Sequence, residues 1–452
     1  MSRAGRIVRI GAGAGFSGDR IDPAVALAER GALDYLVFEC LAERTVALAV
    51  RARLQDPDAG YDPLLEERLR AVLPAARRNG VRIISNMGAA NPQAAARRAA
   101  QIARDLNLGP MRIAAVVGDD VLPLIQADSG SQIDAPGLHR WPADLISANA
   151  YVGCEPIVQA LAEGADIVLT GRVADPSLFL APLVHEFGWA LDDWALLGRG
   201  TVIGHLLECA GQITGGYFAD PGVKDVDDLA NLGFPIAEVS IDGAAVITKL
   251  PDVGGCVTVA TCTEQLLYEL HDPTRYLTPD VTADFSTVRF AQEGADRVRV
   301  SGGGGAARPD QLKVSVGYQD GFIGEGQISY AGPGAVARGR LALSIIEARL
   351  TPWAPELQEL RLELIGVDSI CGGMSSTQPA LSALSEVRVR AAARASSLAA
   401  AQRVGREVEA LYTNGPAGGG GASQSAKPVV AIASTFVRRQ AVEPRLFWEV
   451  IS

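Results

Sequence analysis

The chain has 452 residues, of which 48% are hydrophobic and 21% charged, and it carries a formal net charge of −11. This length exceeds one ordinary core and predicts two or three domains, and the composition excludes extensive disorder. The acidic balance argues against nucleic acid or an anionic membrane as a partner, because both attract basic surfaces. A local basic pocket for a small anionic molecule is compatible with it.

The six cysteines are spread along the chain without a C-x-x-C pair, which is typical of buried free thiols in a reducing compartment. No stretch approaches about 18 uninterrupted apolar residues, and the first residues lack the apolar segment of a secretory signal. We therefore expect a cytoplasmic protein that does not enter a membrane. The sequence does not indicate a cofactor, and it leaves open whether the protein forms a homo-oligomer.

The first half of the sequence alternates short apolar runs with helix-like segments. The predicted strands cover residues 7–11, 35–39, 81–86, 111–117 and 166–170. The predicted helices between them cover residues 23–30, 44–54, 64–79, 92–106 and 156–163. This alternation predicts an α/β fold with a mostly parallel sheet and flanking helices. We assign residues 1–235 to this domain and expect the active site in it.

From about residue 236 the pattern changes to strands joined by short turns. Strand-like stretches include VSIDGAAVITKL, DRVRVSG, LKVSVGYQ and KPVVAIASTFVRR, and helices are predicted over 334–350 and 398–412. This order predicts a mixed α+β domain over residues 236–452. The glycine-rich stretch NGPAGGGGASQSA is predicted to be a connecting loop.

A G-x-G-x-x-G pattern runs from Gly13 to Gly18, after the first predicted strand, and Glu39 follows roughly 20 residues on, as in dinucleotide-binding folds. In those folds the last glycine opens a helix whose N–H groups hold the pyrophosphate. Here the next helix starts only at Asp22, which we expect to cap it, with Pro23 in its first position. We interpret the match as accidental. The glycines serve either a tight packed turn or the close approach of backbone to a ligand.

Residues that follow the predicted strands are candidates for a ligand site, because open α/β sheets bind ligands at the carboxyl ends of their strands. Arg20 and Arg172 are predicted to hold an anionic group, which guanidinium binds bidentately. Glu39 is a candidate catalytic carboxylate, whereas Asp175 fits a helix cap. The other predicted substrate-binding residues are Gly15, Ser17, Asp19 and two possible oxyanion donors, Asn86 and Asn149.

A second candidate feature is TVIGHLLECAGQITGGYF, in which Thr201, His205, Glu208 and Gln212 fall on one helical face. A polar face without lysine in an otherwise apolar helix indicates that it lines a cleft. His205 and Glu208, three residues apart, could share a proton and serve as an acid/base pair, or could supply two ligands to a metal. A purely structural pair stays open. With four histidines in the chain, a multi-histidine zinc site is not expected, and no metal is assigned.

Four stretches together resemble the acyclic terpene utilisation A (AtuA) family. They are IGAGAGFSGDRIDPAVALAERGALDYLVFECLAERT, SANAYVGCEPIVQALAEGADIVLTGRVADPSL, GHLLECAGQITGGYFADPG and GGCVTVATCTEQLLYELHDPTRYLTPDV. The likeness spans roughly residues 5 to 375. It implies a link to the degradation of citronellol- and geraniol-like terpenes through branched acyl-CoA intermediates, and so an acyl or carboxylic-acid substrate. It supplies no catalytic residues.

These observations lead to three functional hypotheses. The first is an enzyme that acts on an acyl-CoA or branched carboxylic acid by lyase- or hydratase-like acid–base chemistry. The second is an ester or thioester hydrolase that uses Cys40 or a serine as nucleophile. The third is a non-catalytic binding or scaffold subunit of an acyl-CoA enzyme, in which the polar helix face would be an interface.

Overall fold

The computed structural model describes residues 5–127, 133–135, 138–142, 144–370, 372, 381 and 384–452. The chain divides into two compact units. The first consists of Met1–Gly317 with Ile432–Ser452, and the second of Tyr318–Ala431.

The strands within the described residues are numbered in chain order. They are β1 Ile7–Ala14, β2 Tyr35–Phe38, β3 Arg82–Ser85, β4 Met111–Val117, β5 Leu145–Ala150, β6 Ile167–Thr170, β7 Ile236–Ser240, β8 Ala245–Thr248, β9 Tyr276–Leu277, β10 Thr282–Asp284, β11 Arg289–Gly294, β12 Arg297–Ser301, β13 Gly304–Ala306, β14 Gln311–Ala331, β15 Leu357–Ile365, β16 Glu386–Ala395, β17 Gly419–Arg438 and β18 Arg445–Ile451.

The α-helices are numbered in the same way. They are α1 Asp22–Arg30, α2 Glu43–Gln55, α3 Leu65–Asn79, α4 Pro92–Asp105, α5 Leu122–Ala127, α6 Glu155–Ala162, α7 Asp175–Phe187, α8 Trp194–Leu207, α9 Val259–Leu267, α10 Ala335–Leu350, α11 Leu398–Glu409 and α12 Leu411–Asn414. Single 3₁₀ turns lie at Ala210–Gln212, Leu229–Asn231, Thr351–Trp353 and Arg439–Ala441.

The main sheet of the first unit has ten strands in the order β11-β12-β8-β7-β1-β2-β3-β6-β4-β18. Its five central strands, from β1 to β4 in this order, are parallel. All four residues of β2 and of β6 are buried, as expected for strands covered by helices on both faces. The predicted α/β class is therefore confirmed. Because the five central strands are parallel, their carboxyl ends all lie at the same end of the sheet.

Residues 236–317 lie in the first unit, whereas the sequence pattern placed them in a second domain. The reason is strand pairing. β7 runs antiparallel to β1, with Ile7 opposite Ser240, and β8, β12 and β11 continue the sheet outward. These strands occupy the backbone groups that the β1 edge would otherwise leave unpaired.

The second unit is built around strands that pair in the order β15-β16-β14-β17, with β16 antiparallel to both β15 and β14. Helices α10 and α11 bury an apolar face against it through residues such as Ile328, Ile346, Val389 and Val404. The stretch NGPAGGGGASQSA is not simply a loop, because β17 begins at Gly419 within it. Gly419 lies against Ile328 and Tyr330, so the strand packs closely where a side chain would be crowded.

None of the helices in the described part of the chain has the length and apolar character needed to cross a membrane.

Candidate functional site

Arg172 follows β6 and is buried, with 2% of its surface exposed. Its Nη1 donates to Asp175 Oδ1 at 2.9 Å and to the carbonyl oxygen of Leu41. Its backbone N–H donates to Asp119 Oδ2 at 2.9 Å, and the Asp119 carboxylate lies where a side chain on Gly171 would be, which explains the glycine before the arginine. Nη2 donates no hydrogen bond to any described residue, so this nitrogen is available to a ligand.

A cavity of about 990 Å³ opens beside Arg172. Its polar lining includes Glu43, Tyr151, Asp175, Glu269 and Lys313. Its apolar lining includes Tyr276, Leu277, Pro279, Leu312 and Phe436. All these residues belong to the first unit, and the cavity therefore combines a charged end with a hydrocarbon surface.

Tyr151, directly after β5, organises the charged end of the cavity. Its ring centroid lies 4.1 Å from Arg172 Cζ and 4.9 Å from Lys313 Nζ, and both contacts are cation–π interactions. Its hydroxyl donates to the Glu43 carboxylate, whose Oε1 is 3.4 Å from Lys313 Nζ. Partial burial opposes ionisation of Glu43, but Arg172, Tyr151 and Lys313 together lower the pKa of its carboxyl to about 2. Glu43 is therefore ionised at neutral pH.

Glu39 and Asp175 are two further carboxyl groups that interact with Arg172. Oε1 of Glu39 accepts from the backbone N–H of Leu41 and from Nδ2 of Asn86, both at 2.8 Å. Burial and the charge of Asp175 raise the pKa of Glu39 to about 8, despite the opposing charge of Arg172. Burial also raises the pKa of Asp175, which Arg172 partly offsets. Carboxyl groups with pKa values moved apart around one guanidinium are suited to acid–base chemistry.

His205 and Glu208 form the pair that their spacing predicted, at the end of α8. Nδ1 of His205 lies 2.9 Å from Glu208 Oε1, and Nε2 lies 3.1 Å from the carbonyl oxygen of Leu266. Both ring nitrogens therefore face acceptors, as a doubly protonated imidazolium requires. Burial lowers the pKa of His205, but the neighbouring carboxylate outweighs it and the pKa is raised. Burial raises the pKa of Glu208 to about 7, against the effect of His205.

The polar face of α8 lies inside the protein rather than along the cavity. The ring of His205 packs 5.4 Å, between centroids, from both Tyr276 and Phe285. The hydroxyl of Thr201 donates to the carbonyl oxygen of Leu197 within the helix. Tyr276 lines the cavity, whereas His205 and Glu208 do not. The helix face that was predicted to line a cleft therefore does not line the Arg172 cavity through His205 or Glu208, and Tyr276 and Phe285 pack against the His205 ring.

The loop after β1 is held by protein groups. The backbone N–H of Gly15 donates to Asp19 Oδ2 at 2.9 Å, and the carbonyl oxygens of Ser17 and Asp19 accept from Arg68 Nη2 at 2.6 and 3.2 Å. A side chain on Gly15 would lie 2.5 Å from the backbone of Cys209. Of the two roles left open for these glycines, the packed turn is therefore the one that the geometry fits.

Arg20 lies apart from the cavity, with 41% of its side chain exposed. Its guanidinium pairs with Asp22 at 2.5 Å. Helix α1 begins at Asp22, one residue before the predicted start at Pro23. Ile21 is therefore its N-cap, and the Asp22 side chain pairs with Arg20 instead of capping the helix. Likewise α7 begins at Asp175 with Ala174 as N-cap, so Asp175 is free to pair with Arg172.

The two asparagines predicted as oxyanion donors point at protein groups. Oδ1 of Asn86 accepts from the backbone N–H of Cys40 at 2.7 Å while Nδ2 holds Glu39. Nδ2 of Asn149 donates to Asp119 Oδ2 at 2.8 Å. Neither asparagine lines the Arg172 cavity. Asn86 acts on the cavity indirectly, by positioning Glu39.

Four residues at the charged end were not proposed from the sequence as parts of a site: Glu43, Tyr151, Asp175 and Lys313. Two of them carried a local signal, since Tyr151 follows a strand and Asp175 lies three residues after Arg172. Lys313 carried none, because β14 reaches the site from a distant part of the chain. Its carbonyl oxygen accepts from the Tyr151 backbone N–H at 2.8 Å, which joins the two segments.

Comparison with known proteins gives one clear relationship. No curated protein matches the sequence. Among solved structures, a homoserine dehydrogenase from Thiobacillus denitrificans aligns over 90% of this chain and 84% of its own at 10% identity, but with a TM-score of 0.14, and no inference is based on it. The model of the acyclic terpene utilisation family protein AtuA matches residues 8–448. The chain therefore belongs to the AtuA acyclic terpene utilisation family.

Proposed function

We propose that this protein is an enzyme that moves protons on an acyl-CoA or branched carboxylic acid, in a lyase- or hydratase-like reaction. The observation that carries the proposal is the buried Arg172, whose Nη2 is unused beside a cavity and whose neighbouring carboxyl groups differ strongly in pKa. Membership of the acyclic terpene utilisation family supports this substrate class, and this support comes from the family's name alone.

Arg172 and Lys313 bind the oxygen atoms of the acyl group. A carboxylate or thioester carbonyl at the charged end accepts from Arg172 Nη2 and lies near the Lys313 ammonium group. Charge-assisted hydrogen bonds of this kind strengthen as negative charge develops on the oxygen. The apolar residues at the other end, including Leu277, Leu312 and Phe436, hold the branched hydrocarbon.

In this proposal Asp175, which lines the cavity and pairs with Arg172, takes a proton from the carbon next to the carbonyl. Asp175 pairs with Arg172 and Glu43 pairs with Lys313, and the proposed base is the ionised form of Asp175. When the proton moves to Asp175, the C–H electron pair enters the carbonyl system and forms an enolate. Arg172 then faces the new negative oxygen while its paired carboxylate, Asp175, is neutral. The transferred proton thus creates the electrostatic stabilisation that the enolate needs.

Glu39 supports this arrangement by remaining protonated near neutral pH. A third ionised carboxyl beside Arg172 would compete with the substrate for its charge. Asn86 and the Leu41 backbone hold Glu39 in place. In this proposal His205 positions Glu208, since both its ring nitrogens are already occupied, and Glu208 is the member of the pair with an unpartnered buried oxygen, Oε2.

Cys40 does not favour the hydrolase hypothesis. Its side chain is 1% exposed, and burial raises the pKa of its thiol well above the ordinary value. The thiolate is the nucleophilic form, so this cysteine is unsuited to attack an ester or thioester.

The experiment is solvent exchange, which detects proton abstraction without knowledge of the full reaction. The full-length protein is incubated with 3-methylbutanoyl-CoA in D₂O, and deuterium at C2 is followed by NMR. We expect exchange in the native protein and a loss of about 10²-fold or more in Asp175→Asn. Absence of exchange in the native protein, or an unchanged rate in Asp175→Asn, would contradict the proposal.

Asp272→Asn is the matched control. Asp272 lines the same cavity, but its carboxylate accepts from the backbone N–H and hydroxyl of Thr274 at 2.9 and 2.7 Å rather than pairing with Arg172. Its substitution changes the cavity charge by the same amount as Asp175→Asn. The exchange rate is expected to stay within about threefold of native, since the reacting geometry is untouched.

A further inference from the structure

A second cavity, of about 490 Å³, lies at the carboxyl end of β4. Its charged lining consists of Arg53 in α2, Asp119 and Asp120 after β4, and Glu443 and Arg445 before or within β18. Its apolar lining includes Val50, Val117, Leu124 and Phe447. It shares no lining residue with the Arg172 cavity, so it is a separate place for a ligand.

In this second cavity two arginines each pair with one carboxylate, and the third carboxylate has no cationic partner in the described part of the lining. Arg53 Nη2 lies 3.2 Å from Asp120 Oδ2, and Arg445 Nη2 lies 2.9 Å from Glu443 Oε2. Asp119 is 7% exposed and has no cationic side chain paired with it among the described lining residues. Its hydrogen bonds come from neutral donors, the Arg172 backbone N–H and Nδ2 of Asn149.

Asn149 adds a second unused acceptor next to Asp119. The orientation of the Asn149 amide is fixed by this hydrogen bond, because Nδ2 donates to the Asp119 carboxylate. If the amide were turned over, its oxygen Oδ1 would face the carboxylate oxygen and no hydrogen bond could form. Oδ1 is buried and accepts no hydrogen bond within the described chain. Asp119 and Asn149 both line the cavity, and the unpaired carboxylate of one beside the unused amide oxygen of the other is complementary to a positively charged hydrogen-bond donor.

We propose that this second cavity binds a small organic molecule through a primary ammonium group held by Asp119 and Asn149. An ammonium group supplies three N–H donors and the missing positive charge. A metal ion fits less well, since the described residues contain no group of three His, Cys, Asp or Glu side chains able to hold one. The proposal goes beyond the acyl chemistry above and does not depend on it.

The pH dependence follows from the state of Asp119. Burial raises the pKa of its carboxyl to about 6, against the effect of its hydrogen bonds. Asp120 and Glu443 face the same cavity, and each is paired with an arginine. The Asp119 carboxyl loses charge as the pH falls from 7.5 to 5.5. Its ionised fraction falls about fourfold over this interval, and the affinity for an ammonium ion falls with it.

The test is calorimetric titration of the full-length protein with n-butylammonium chloride at pH 7.5, with butan-1-ol and sodium butyrate as uncharged and anionic comparisons. We expect binding of the ammonium ion alone, about fourfold weaker at pH 5.5 and at least about tenfold weaker in Asp119→Asn. Asp252→Asn, an exposed carboxylate that pairs with Arg30, is the control and binds as the native protein does.

Leu124→Trp keeps the test valid if Asp119→Asn fails to fold, because Leu124 is 41% exposed and its replacement fills the cavity without touching the carboxylate. We expect at least about tenfold weaker binding in this variant as well. Equal binding of butan-1-ol, binding that persists in Asp119→Asn or Leu124→Trp, absence of ammonium binding, or binding of Mg²⁺ in its place would each overturn the proposal.

Discussion

Arg68 and Arg172 are both buried arginines near the carboxyl edge of the same sheet, but their surroundings differ. Arg68 is fully buried and donates to the Asp62 carboxylate and to backbone carbonyl oxygens of the loop after β1, including Ser17. Arg172 also pairs with a carboxylate and a carbonyl oxygen, but its Nη2 has no partner among the described residues and a cavity opens beside it.

The comparison shows that burial of a charge does not by itself identify a site. Arg68 engages both terminal nitrogens with protein groups, Nη1 with the Asp62 carboxylate and Nη2 with the loop after β1, as a structural residue does. Arg172 retains an unused donor that a ligand can satisfy. The distinguishing property is thus the combination of an unpartnered donor with open space, and neither part of it can be seen in the sequence.

The largest expected effect on stability comes from Arg68→Met. The substitution leaves the buried Asp62 carboxylate without its cation and the loop carbonyls without their donor. We expect the free energy of unfolding to fall by about 3–5 kcal/mol, measured by urea denaturation. Arg97→Met, which removes an exposed partner of Asp58, is the control and changes it by less than about 0.5 kcal/mol. A loss below about 1 kcal/mol in Arg68→Met would show that Arg68 is not the structural member of the comparison.

An intermediate effect is expected at Glu39, and it depends on pH. The folded protein holds the Glu39 proton with a pKa of about 8, against an ordinary value of 4.5. Between these values the folded state binds more protons than the unfolded chain, so the free energy of unfolding falls as the pH rises from about 5 to 8. Glu39→Gln keeps an acceptor for Asn86 but removes this titration.

We therefore expect the stability of Glu39→Gln relative to native to be about 3–4 kcal/mol greater at pH 8 than at pH 5, in denaturation curves at both pH values. Glu163→Gln, at an exposed carboxylate, is the control and shows no such difference between the two pH values. A stability difference in Glu39→Gln that does not change with pH would show that the carboxyl is not held protonated.

The smallest effect is expected at Arg20, which the sequence pattern placed in the site. Its ion pair with Asp22 is exposed, and such pairs contribute about 0–1 kcal/mol. Arg20→Ala should change the free energy of unfolding by less than about 0.5 kcal/mol and leave C2 exchange of the acyl thioester at the native rate. A large fall in the exchange rate would show that Arg20 takes part in the reaction, as the sequence pattern predicted, and that Arg172 is not the arginine on which exchange mainly depends.

Local patterns in the sequence predicted much of the fold. The alternation of apolar strands and helices indicated the parallel sheet, and the three-residue spacing of His205 and Glu208 indicated their contact, because both depend on neighbours along the chain. The pairing of β7 with β1 was missed, since nothing local to residue 236 indicates which edge a strand joins. Lys313 was missed for the same reason. Arg20 was predicted to hold an anionic group, but its guanidinium pairs with Asp22 and does not line the Arg172 cavity.

The most direct test of the account is a crystal structure of the full-length protein with 3-methylbutanoate bound. The account predicts the carboxylate within hydrogen-bonding distance of Arg172 Nη2 and near Lys313 Nζ, with its methyl groups towards Leu312 and Phe436. A carboxylate bound elsewhere, with the Arg172 cavity filled only by water, would contradict the assignment of Arg172 as the residue that receives the acyl group.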